Sequence, residues 1–227
     1  MRWNSYWGRQ YGSVIAPANQ VIDVAAADDY TVFVEWANLI KVVSMSRLTA
    51  YHGPILYSTL GTENVTYDSE EVLYDAFFSD LDRIIAEFSA NTDYVGLGKF
   101  DASYGGDVAK WAKFANSLRL RLAMRLSKVD PVLAKAQGEK ALADPVGLIE
   151  TNADNFNISL YGQKFHPATI CFDWGDTRMS ASMESILIGY KDSRISKFFF
   201  GGILLFSGSI YAIQLLNVSA KTIWFIT

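Results

Sequence analysis

The sequence predicts a mainly helical protein in which pairs of helices are joined by irregular loops. Apolar residues recur at steps of three and four as far as about Ala143, which is the spacing of one face of an α-helix. Residues that start or stop helices lie at the ends of these periodic stretches. Hydrophobic residues make up 50% of the 227 residues, which is enough to bury a core in one large domain or two small ones. Paired helices of this kind can stack as a helical repeat does.

The first two helices are predicted from the opening of the chain. Residues at helical spacing run from Trp3 to Ala25 and mark one face of the first helix. Asp28 and Asp29 supply a start signal for the second helix, which should reach about Leu48 before His-Gly-Pro at 52–54 breaks it. The apolar residues of the second helix are Phe33, Trp36, Ile40, Val43 and Leu48.

The third helix has the clearest pattern in the sequence. Asp68 and Glu71 have the spacing of a capping box, in which each side chain satisfies a backbone N–H group at the start of a helix. Acidic residues occupy most of the solvent-facing positions that follow. The apolar face consists of Leu73, Phe77, Leu81, Ile84 and Phe88.

A polar loop with several glycines precedes the fourth helix. Asp107 is expected to cap this helix, which should cover residues 108–128. Asp130 followed by Pro131 is typical of a helix start, so a short fifth helix should run to about Ala143.

The helical pattern weakens in the last third of the chain. Between Asp144 and Asp176 we expect loop with short strands, followed by another amphipathic helix over residues 179–190. From Phe198 to Thr227 the only charged residue is Lys221. The sequence therefore divides into a helical domain, residues 1–197, and a hydrophobic tail, residues 198–227.

The origin of this tail has three possible explanations. Residues 198–216 are uncharged and long enough to span a bilayer as a helix, so the tail can be a C-terminal membrane anchor. It can also be a buried apolar segment. The abrupt change in composition after Lys197 indicates a third explanation, namely residues foreign to the ancestral protein, as after a frameshift or a premature truncation.

Charge and cysteine content exclude several functions. A net charge of −4 gives no basic surface for nucleic acid, so no nucleic-acid partner is expected. Cys171 is the only cysteine, so neither an intrachain disulfide nor a cysteine-based metal site can form. Residues 1–7, MRWNSYW, lack the apolar region and cleavage pattern of a secretory signal. The chain is then either cytoplasmic or lacks its true N-terminus, and we predict no metal and no cofactor.

The candidate nucleophiles and metal ligands are sparse. His52 and His166 are far apart and neither has a ligand-like spacing, so both are expected to form hydrogen bonds in loops. Cys171 lies five residues after His166 and could form a Cys–His pair, but its apolar neighbours predict a buried thiol. We therefore expect no catalytic nucleophile.

Glycines and carboxylates give two further candidates. The loop glycines lack the Gly-Lys-Ser/Thr ending and the preceding strand of a phosphate loop; they are Gly96, Gly98, Gly105 and Gly106. Paired carboxylates can hydrolyse glycosidic bonds, and the candidates are Asp101, Asp107, Asp173 and Asp176. Carboxylates at loops and helix starts are ordinarily caps, so we predict that the chain is not an enzyme.

The fourth helix is rich in basic residues. A helix with this many basic residues can bind nucleic acid or a membrane surface. The basic residues are Lys110, Lys113, Arg119, Arg121, Arg125 and Lys128. They surround an apolar stripe of Trp111, Ala115, Leu118 and Leu122. We therefore expect a solvated or salt-bridged helix that packs on the core, with acidic residues of the third helix as partners.

Two segments resemble a known family. Residues 104–125 read YGGDVAKWAKFANSLRLRLAMR and resemble the signature of the SusD/RagB family. Residues 47–58, RLTAYHGPILYS, resemble a loop of that family, with Ala50 in place of the usual Asp and Leu56 in place of the usual Pro. The third helix, residues 67–82, and residues 178–194 fit as well. The resemblance covers about residues 3–199, whereas family members begin earlier, with a lipoprotein signal, and continue further.

The resemblance implies a fold and a function. The expected fold is a partial SusD-like fold of tetratricopeptide-like helical hairpins with irregular loops. The expected function is nutrient binding, chiefly of glycans, by a cell-surface lipoprotein of the outer membrane. Such a protein passes its ligand to a SusC-like, TonB-dependent transporter. Two other functions remain open, namely a helical protein-interaction scaffold without a small-molecule ligand and a glycoside hydrolase.

A ligand site is harder to locate from sequence. Sugar capture needs rings that stack on a pyranose, and aromatic residues make up 14% of the chain, with six Trp and twelve Tyr. Trp174, flanked by Asp173 and Asp176 in an irregular segment, is the one ligand-binding ring that we predict. The alternative for Trp174 is a packing role in a core.

Overall fold

The computed structural model describes residues 3–158 and 180–195. Helices form the secondary structure of this part of the chain, and its one extended pairing is an isolated bridge between Ile55 and Asp68. Residues 1–156 form one compact unit and residues 157–227 another. The α-helices are α1 (Trp3–Gln10), α2 (Ala16–Ala27), α3 (Thr31–His52), α4 (Glu70–Ala90), α5 (Val108–Arg125), α6 (Pro131–Ala143) and, in the second unit, α7 (Ala181–Gly189).

In the first unit, each helix from α2 to α5 packs on the one that follows it in sequence. Contacts join α2 to α3, α3 to α4, α4 to α5 and α5 to α6. A single hydrophobic core runs through these helices. The mainly helical fold class, with paired helices, is therefore confirmed.

The apolar stripe of α4 is buried as predicted. All five of its residues are fully inaccessible to solvent; they are Leu73, Phe77, Leu81, Ile84 and Phe88. The stripe expected on α3 is less completely buried, because only Leu48 of its five residues is in the core. The fully buried residues of α3 include Leu39, Val42 and Met45. Since α3 lies against both α2 and α4, it buries two faces, and one periodic stripe describes only part of it.

Two of the four predicted helix-start signals, those at Asp107 and Asp130, are confirmed as caps. The Asp107 carboxylate accepts a hydrogen bond from Lys110 N at the start of α5, and Asp130 accepts from Val132 N and Leu133 N at the start of α6. The predicted capping box at Asp68 is wrong. Ser69 caps α4 instead, accepting a bond from Val72 N, because the Asp68 side chain is engaged by a preceding loop.

Helix boundaries also differ from the sequence prediction. Asp28 and Asp29 do not cap α3; Asp29 has φ 59° in the turn that follows α2, and Tyr30 precedes the first residue of α3. Helix α3 continues to His52, four residues beyond the predicted Leu48, since neither residue 49 nor residue 50 is a helix breaker. Helix α5 ends at Arg125 rather than Lys128.

The first predicted helix is continuous but not uniform. A π-helical turn, Tyr11–Ile15, connects α1 to α2 without interruption. Such turns occur mainly as single insertions within α-helices. Pro17 follows two residues after this turn, inside the continuous helix, and has no N–H group to donate to the preceding turn.

The last predicted helix is present and shorter than expected, with Ser180 accepting a bond from Met183 N at its start. In the described part of residues 144–176 there is no strand but a 3-10 turn, Asn152–Asp154. No helix among the described residues is long and apolar enough to cross a membrane. The remaining predictions lie outside the described residues; they concern His166, Cys171, Asp173, Trp174, Asp176 and the tail at 198–227.

Candidate functional site

The loop before α5 is organised by one buried carboxylate. Asp101 Oδ1 accepts hydrogen bonds from Ser103 N at 2.8 Å and Tyr104 N at 3.1 Å. Its Oδ2 accepts from Gly106 N and from Trp111 Nε1, both at 2.8 Å. All four donors are neutral N–H groups, which hold a carboxylate in place without a counter-charge. Asp101 is therefore a structural residue, not half of a hydrolytic pair.

Gly106 allows this loop to lie directly on the 3-10 turn at Gly96–Lys99. A Cβ atom at Gly106 would lie 2.6 Å from Gly98 N, and the backbone φ of Gly106 is 93°. Gly105 also has a positive φ, 65°, but a Cβ atom there would meet nothing within 4 Å. The glycines thus form a close backbone contact rather than a phosphate-binding loop.

Two basic side chains of α5, Lys113 and Arg119, take part in ion pairs within the first unit. Arg119 is 1% exposed and pairs with Asp82 of α4; Lys140 of α6 reaches the same carboxylate at 2.7 Å. Lys113 lies 3.8 Å from Asp154. The predicted salt bridge between the third and fourth helices is confirmed, and the apolar stripe of α5 is buried as expected.

The clearest candidate site is a group of side chains at the C-terminal end of α3. We call it the surface aromatic patch, and it consists of Tyr6, Trp7, Tyr51, His52 and Tyr67. Tyr51 is 52% exposed and Tyr67 is 65% exposed. A contiguous group of exposed apolar side chains can mark a binding site.

Neighbouring rings of the patch contact one another in succession. The ring centroids of Tyr51 and Tyr6 are 5.4 Å apart and those of Tyr6 and His52 are 6.4 Å apart. The series continues from His52 to Trp7 at 5.3 Å and from Trp7 to Tyr67 at 6.1 Å. These distances are within the range of favourable aromatic contacts.

The loop between α3 and α4, which contains Tyr67 of the patch, is held by long-range hydrogen bonds. The Tyr11 hydroxyl donates to Leu56 O and accepts from Leu56 N, both at 3.0 Å, and burial raises the pKa of Tyr11 to about 12. The Asp68 carboxylate accepts from Tyr57 N at 3.0 Å and from Ser58 N at 2.7 Å. The start of this loop is therefore bonded both to Tyr11 of the first helical segment and to Asp68, the residue that follows Tyr67.

A second group of rings lies near the other end of α3. We call it the distal aromatic cluster; Phe33 is at its centre and contacts Tyr30, Tyr94 and Phe100. Phe33 is 18 residues before Tyr51, which places the two groups about 27 Å apart along the helix axis. The distal cluster is richer in Phe than the surface aromatic patch and has fewer polar edges.

The sequence analysis identified little of this patch. His52 was expected to form loop hydrogen bonds, and the structure places it among aromatic rings at the end of a helix. Tyr6, Tyr51 and Tyr67 were not predicted as site residues. The one available signal was the family-like segment 47–58, which contains Tyr51 and His52. Within the described residues, no three potential metal ligands lie together.

Paired helices that carry a group of partly exposed rings define a helical scaffold. The chain belongs to the SusD-like family, because the family model described as Susd and RagB outer membrane lipoprotein matches residues 1–214. The comparison with curated proteins gave no match.

Solved structures support the family membership. A chitin-binding SusD homologue from Flavobacterium johnsoniae is 39% identical, with a TM-score of 0.76 over 85% of this chain and 41% of that one. A SusD homologue from Bacteroides vulgatus is 35% identical, with a TM-score of 0.80 over 88% of this chain and 41% of that one. The chain thus spans about two fifths of the length of these structures.

Proposed function

We propose that this chain binds glycans as a nutrient-binding protein at the outer-membrane surface. The observation that carries the proposal is its 39% identity to a chitin-binding SusD homologue over 85% of the chain. The surface aromatic patch supports it, since solvent-facing rings can stack on the apolar face of a sugar while their polar edges bond to hydroxyl groups.

The proposed partner is a SusC-like, TonB-dependent transporter that receives the captured glycan. The description of the family as an outer membrane lipoprotein supports this location for the protein. Trp174 is proposed as an additional ring for the ligand, since it follows Asp173 in a stretch of sequence that lacks helical periodicity and contains several polar residues.

The proposal does not include catalysis. Glycoside hydrolysis requires two carboxyl groups that are free to reach the substrate. Asp101 and Asp107, the two candidates within the described residues, both accept hydrogen bonds from backbone N–H groups. Incubation with chitin, cellulose and starch oligosaccharides is expected to release no new reducing ends.

A protein-interaction scaffold is the second candidate function. The distal aromatic cluster favours it, because Phe100 is 66% exposed and Val95, which follows Tyr94 in the chain, is 87% exposed. Large exposed apolar side chains are typical of protein-binding surfaces. Co-purification with an outer-membrane transporter but no affinity for any saccharide would support this alternative.

Isothermal titration of the 227-residue chain with chitohexaose, cellohexaose and maltohexaose tests the proposal. We expect saturable binding of at least one of these oligosaccharides, with a negative heat-capacity change, because binding buries apolar surface of the rings. Absence of binding to all three, and to a wider glycan array, would contradict the proposed function.

A further inference from the structure

We infer that the surface aromatic patch is the glycan-binding site and that it takes flat oligosaccharides of equatorially substituted, β-1,4-linked pyranose units. The inference rests on the proposed function and adds to it a location and a ligand class. No residue of this patch was expected from sequence to contact a ligand.

The chemistry of the patch favours a sugar over an apolar protein segment. Its members are Tyr, Trp and His, each of which combines a ring with a polar edge. A pyranose with equatorial substituents has the complementary character, because its axial C–H groups form two apolar faces and its hydroxyl groups form a polar rim. Burial of such a face against a ring removes apolar surface from water.

The extent of the patch favours an oligosaccharide over a monosaccharide. Four successive ring contacts connect Tyr51 to Tyr67 by way of Tyr6, His52 and Trp7. One pyranose covers about one aromatic ring, so the two exposed rings at the ends of this series, Tyr51 and Tyr67, can contact separate sugar units of one chain. A flat β-1,4-linked chain presents its apolar faces along its whole length, whereas an α-1,4-linked chain curves away.

The rings of the patch differ in orientation, so that some of them can present a polar edge to a ligand. The Tyr6 and His52 planes differ by 14°, whereas Tyr51 is turned by 78° from Tyr6 and Trp7 by 84° from His52. Rings that meet edge to face cannot all lie flat beneath one ligand. Some of the rings therefore stack on the sugar face, and others can direct a hydroxyl or N–H group at its rim.

The patch is preorganised. Ring-to-ring contacts restrict the rotamers of its side chains, so less conformational entropy is lost when a ligand binds. Gly53, with φ 74°, ends α3 immediately after His52, and the Thr49 hydroxyl donates to Gly53 O at 2.7 Å. Two members of the patch therefore lie on the last turn of a helix with a defined end, which favours a binding site over a mobile surface.

Substitution of the two most exposed rings tests the location of the site. Tyr51→Ala and Tyr67→Ala are each expected to weaken the binding of chitohexaose by about tenfold, measured by titration calorimetry. Tyr190→Ala is the matched control, because Tyr190 is an 83% exposed tyrosine outside the patch. Phe100→Ala, in the distal aromatic cluster, is a second control, and neither control should alter the Kd.

The possible outcomes separate the two proposals. Wild-type binding that persists unchanged in Tyr51→Ala, Tyr67→Ala and the double variant, all with wild-type urea midpoints, would overturn the location while leaving the proposed function intact. Absence of any saccharide binding by the wild type would overturn the proposed function and the site together. Loss of binding in Phe100→Ala but not in Tyr67→Ala would move the site to the distal cluster.

The ligand class has its own test. Cellohexaose and chitohexaose should bind several-fold more tightly than β-1,4-mannohexaose, whose axial 2-hydroxyl interrupts one apolar face, and more tightly than maltohexaose. Saturation-transfer NMR should show the strongest transfer to the axial ring protons. Equal affinity for all four oligosaccharides would overturn the inferred ligand class.

Discussion

The Asp101 side chain shows how a single residue organises the loop between α4 and α5. Its two oxygens accept four hydrogen bonds, one of them from a tryptophan that is itself 1% exposed. From sequence Asp101 was expected to be a cap, with a catalytic carboxylate as the alternative. Each carboxylate oxygen accepts two hydrogen bonds in the structure. Removal of this carboxylate should therefore lower the free energy of unfolding.

Asp101→Asn is expected to destabilise the protein by about 3 kcal/mol, because the amide NH₂ group would face two N–H donors and leave them unsatisfied. Urea unfolding followed by circular dichroism measures this effect. Asp107→Asn is the control, since Asn and Asp are similarly good N-caps, and it should change the free energy of unfolding by less than about 0.5 kcal/mol. Equal effects of the two substitutions would contradict the proposed role of Asp101.

At the scale of elements, a close backbone contact holds the loop before α5 against the preceding 3-10 turn. The loop at Gly105 and Gly106 lies on the 3-10 turn that contains Gly98, and this contact joins the end of the α4 connection to the start of α5. The two glycines are adjacent and both have positive φ, yet only one of them touches the opposing backbone. They therefore provide a matched pair of substitutions.

Gly105→Ala should cost about 1–2 kcal/mol, the usual price of a positive φ for an L-residue. Gly106→Ala should cost more than about 3 kcal/mol, because the added Cβ also overlaps the backbone of Gly98. Thermal unfolding of both variants checks this order. A Gly106→Ala variant as stable as Gly105→Ala would show that the loop does not rest on the 3-10 turn.

At the scale of the whole molecule, tyrosine hydroxyl groups connect segments that are far apart in sequence. Tyr57 donates to Asp80 Oδ2 at 2.5 Å and Tyr104 donates to Asp154 O at 2.9 Å. Burial raises the pKa of both tyrosines above the ordinary value, and for each a nearby carboxylate raises it further. With Tyr11, whose pKa is raised to about 12, they make stability depend on pH under alkaline conditions.

The protein is expected to lose stability as the pH rises above about 10, the pKa of tyrosine in an unfolded chain. In that range the unfolded state releases tyrosine protons while the folded state retains them, so the free energy of unfolding falls with pH. Lys41, whose pKa is lowered by desolvation, acts in the opposite direction, but it is one group against four tyrosines, since burial also raises the pKa of Tyr6.

Urea unfolding at intervals between pH 8 and pH 11.5, with tyrosinate absorbance as a second readout, measures this dependence. Tyr104→Phe should be less stable than the wild type at pH 8, because a hydrogen bond is lost, and should lose less further stability by pH 11. A wild-type free energy of unfolding that stays constant from pH 9 to pH 11.5 would contradict the expectation.

The accuracy of the sequence predictions depended on how local the determining interactions are. The stripe of α4 and the caps at Asp107 and Asp130 depend on residues within one or two helical turns, and all were found from sequence. The segment with the family signature, 104–125, identified the family correctly, and the family model and the solved structures confirm this.

Asp68 shows where local reasoning was wrong. Its spacing to Glu71 fits a capping box, but the carboxylate bonds instead to the backbone of Tyr57 and Ser58. Those donors lie ten and eleven residues earlier in the chain. The residues around Asp68 do not indicate that its partners are the backbone N–H groups of Tyr57 and Ser58, because an aspartate can serve equally as a helix cap and as an acceptor for a distant loop.

The sequence by itself determined the helical class, most helix starts and the family, because periodicity and capping are encoded within a few residues. Only the tertiary structure decided that α3 is buried on two faces and that Tyr6 and Trp7 meet Tyr51 and His52. The physical reason is that these contacts depend on which helices pack together and in what register. A row of rings assembled from three separate segments has no periodic signature in any one of them.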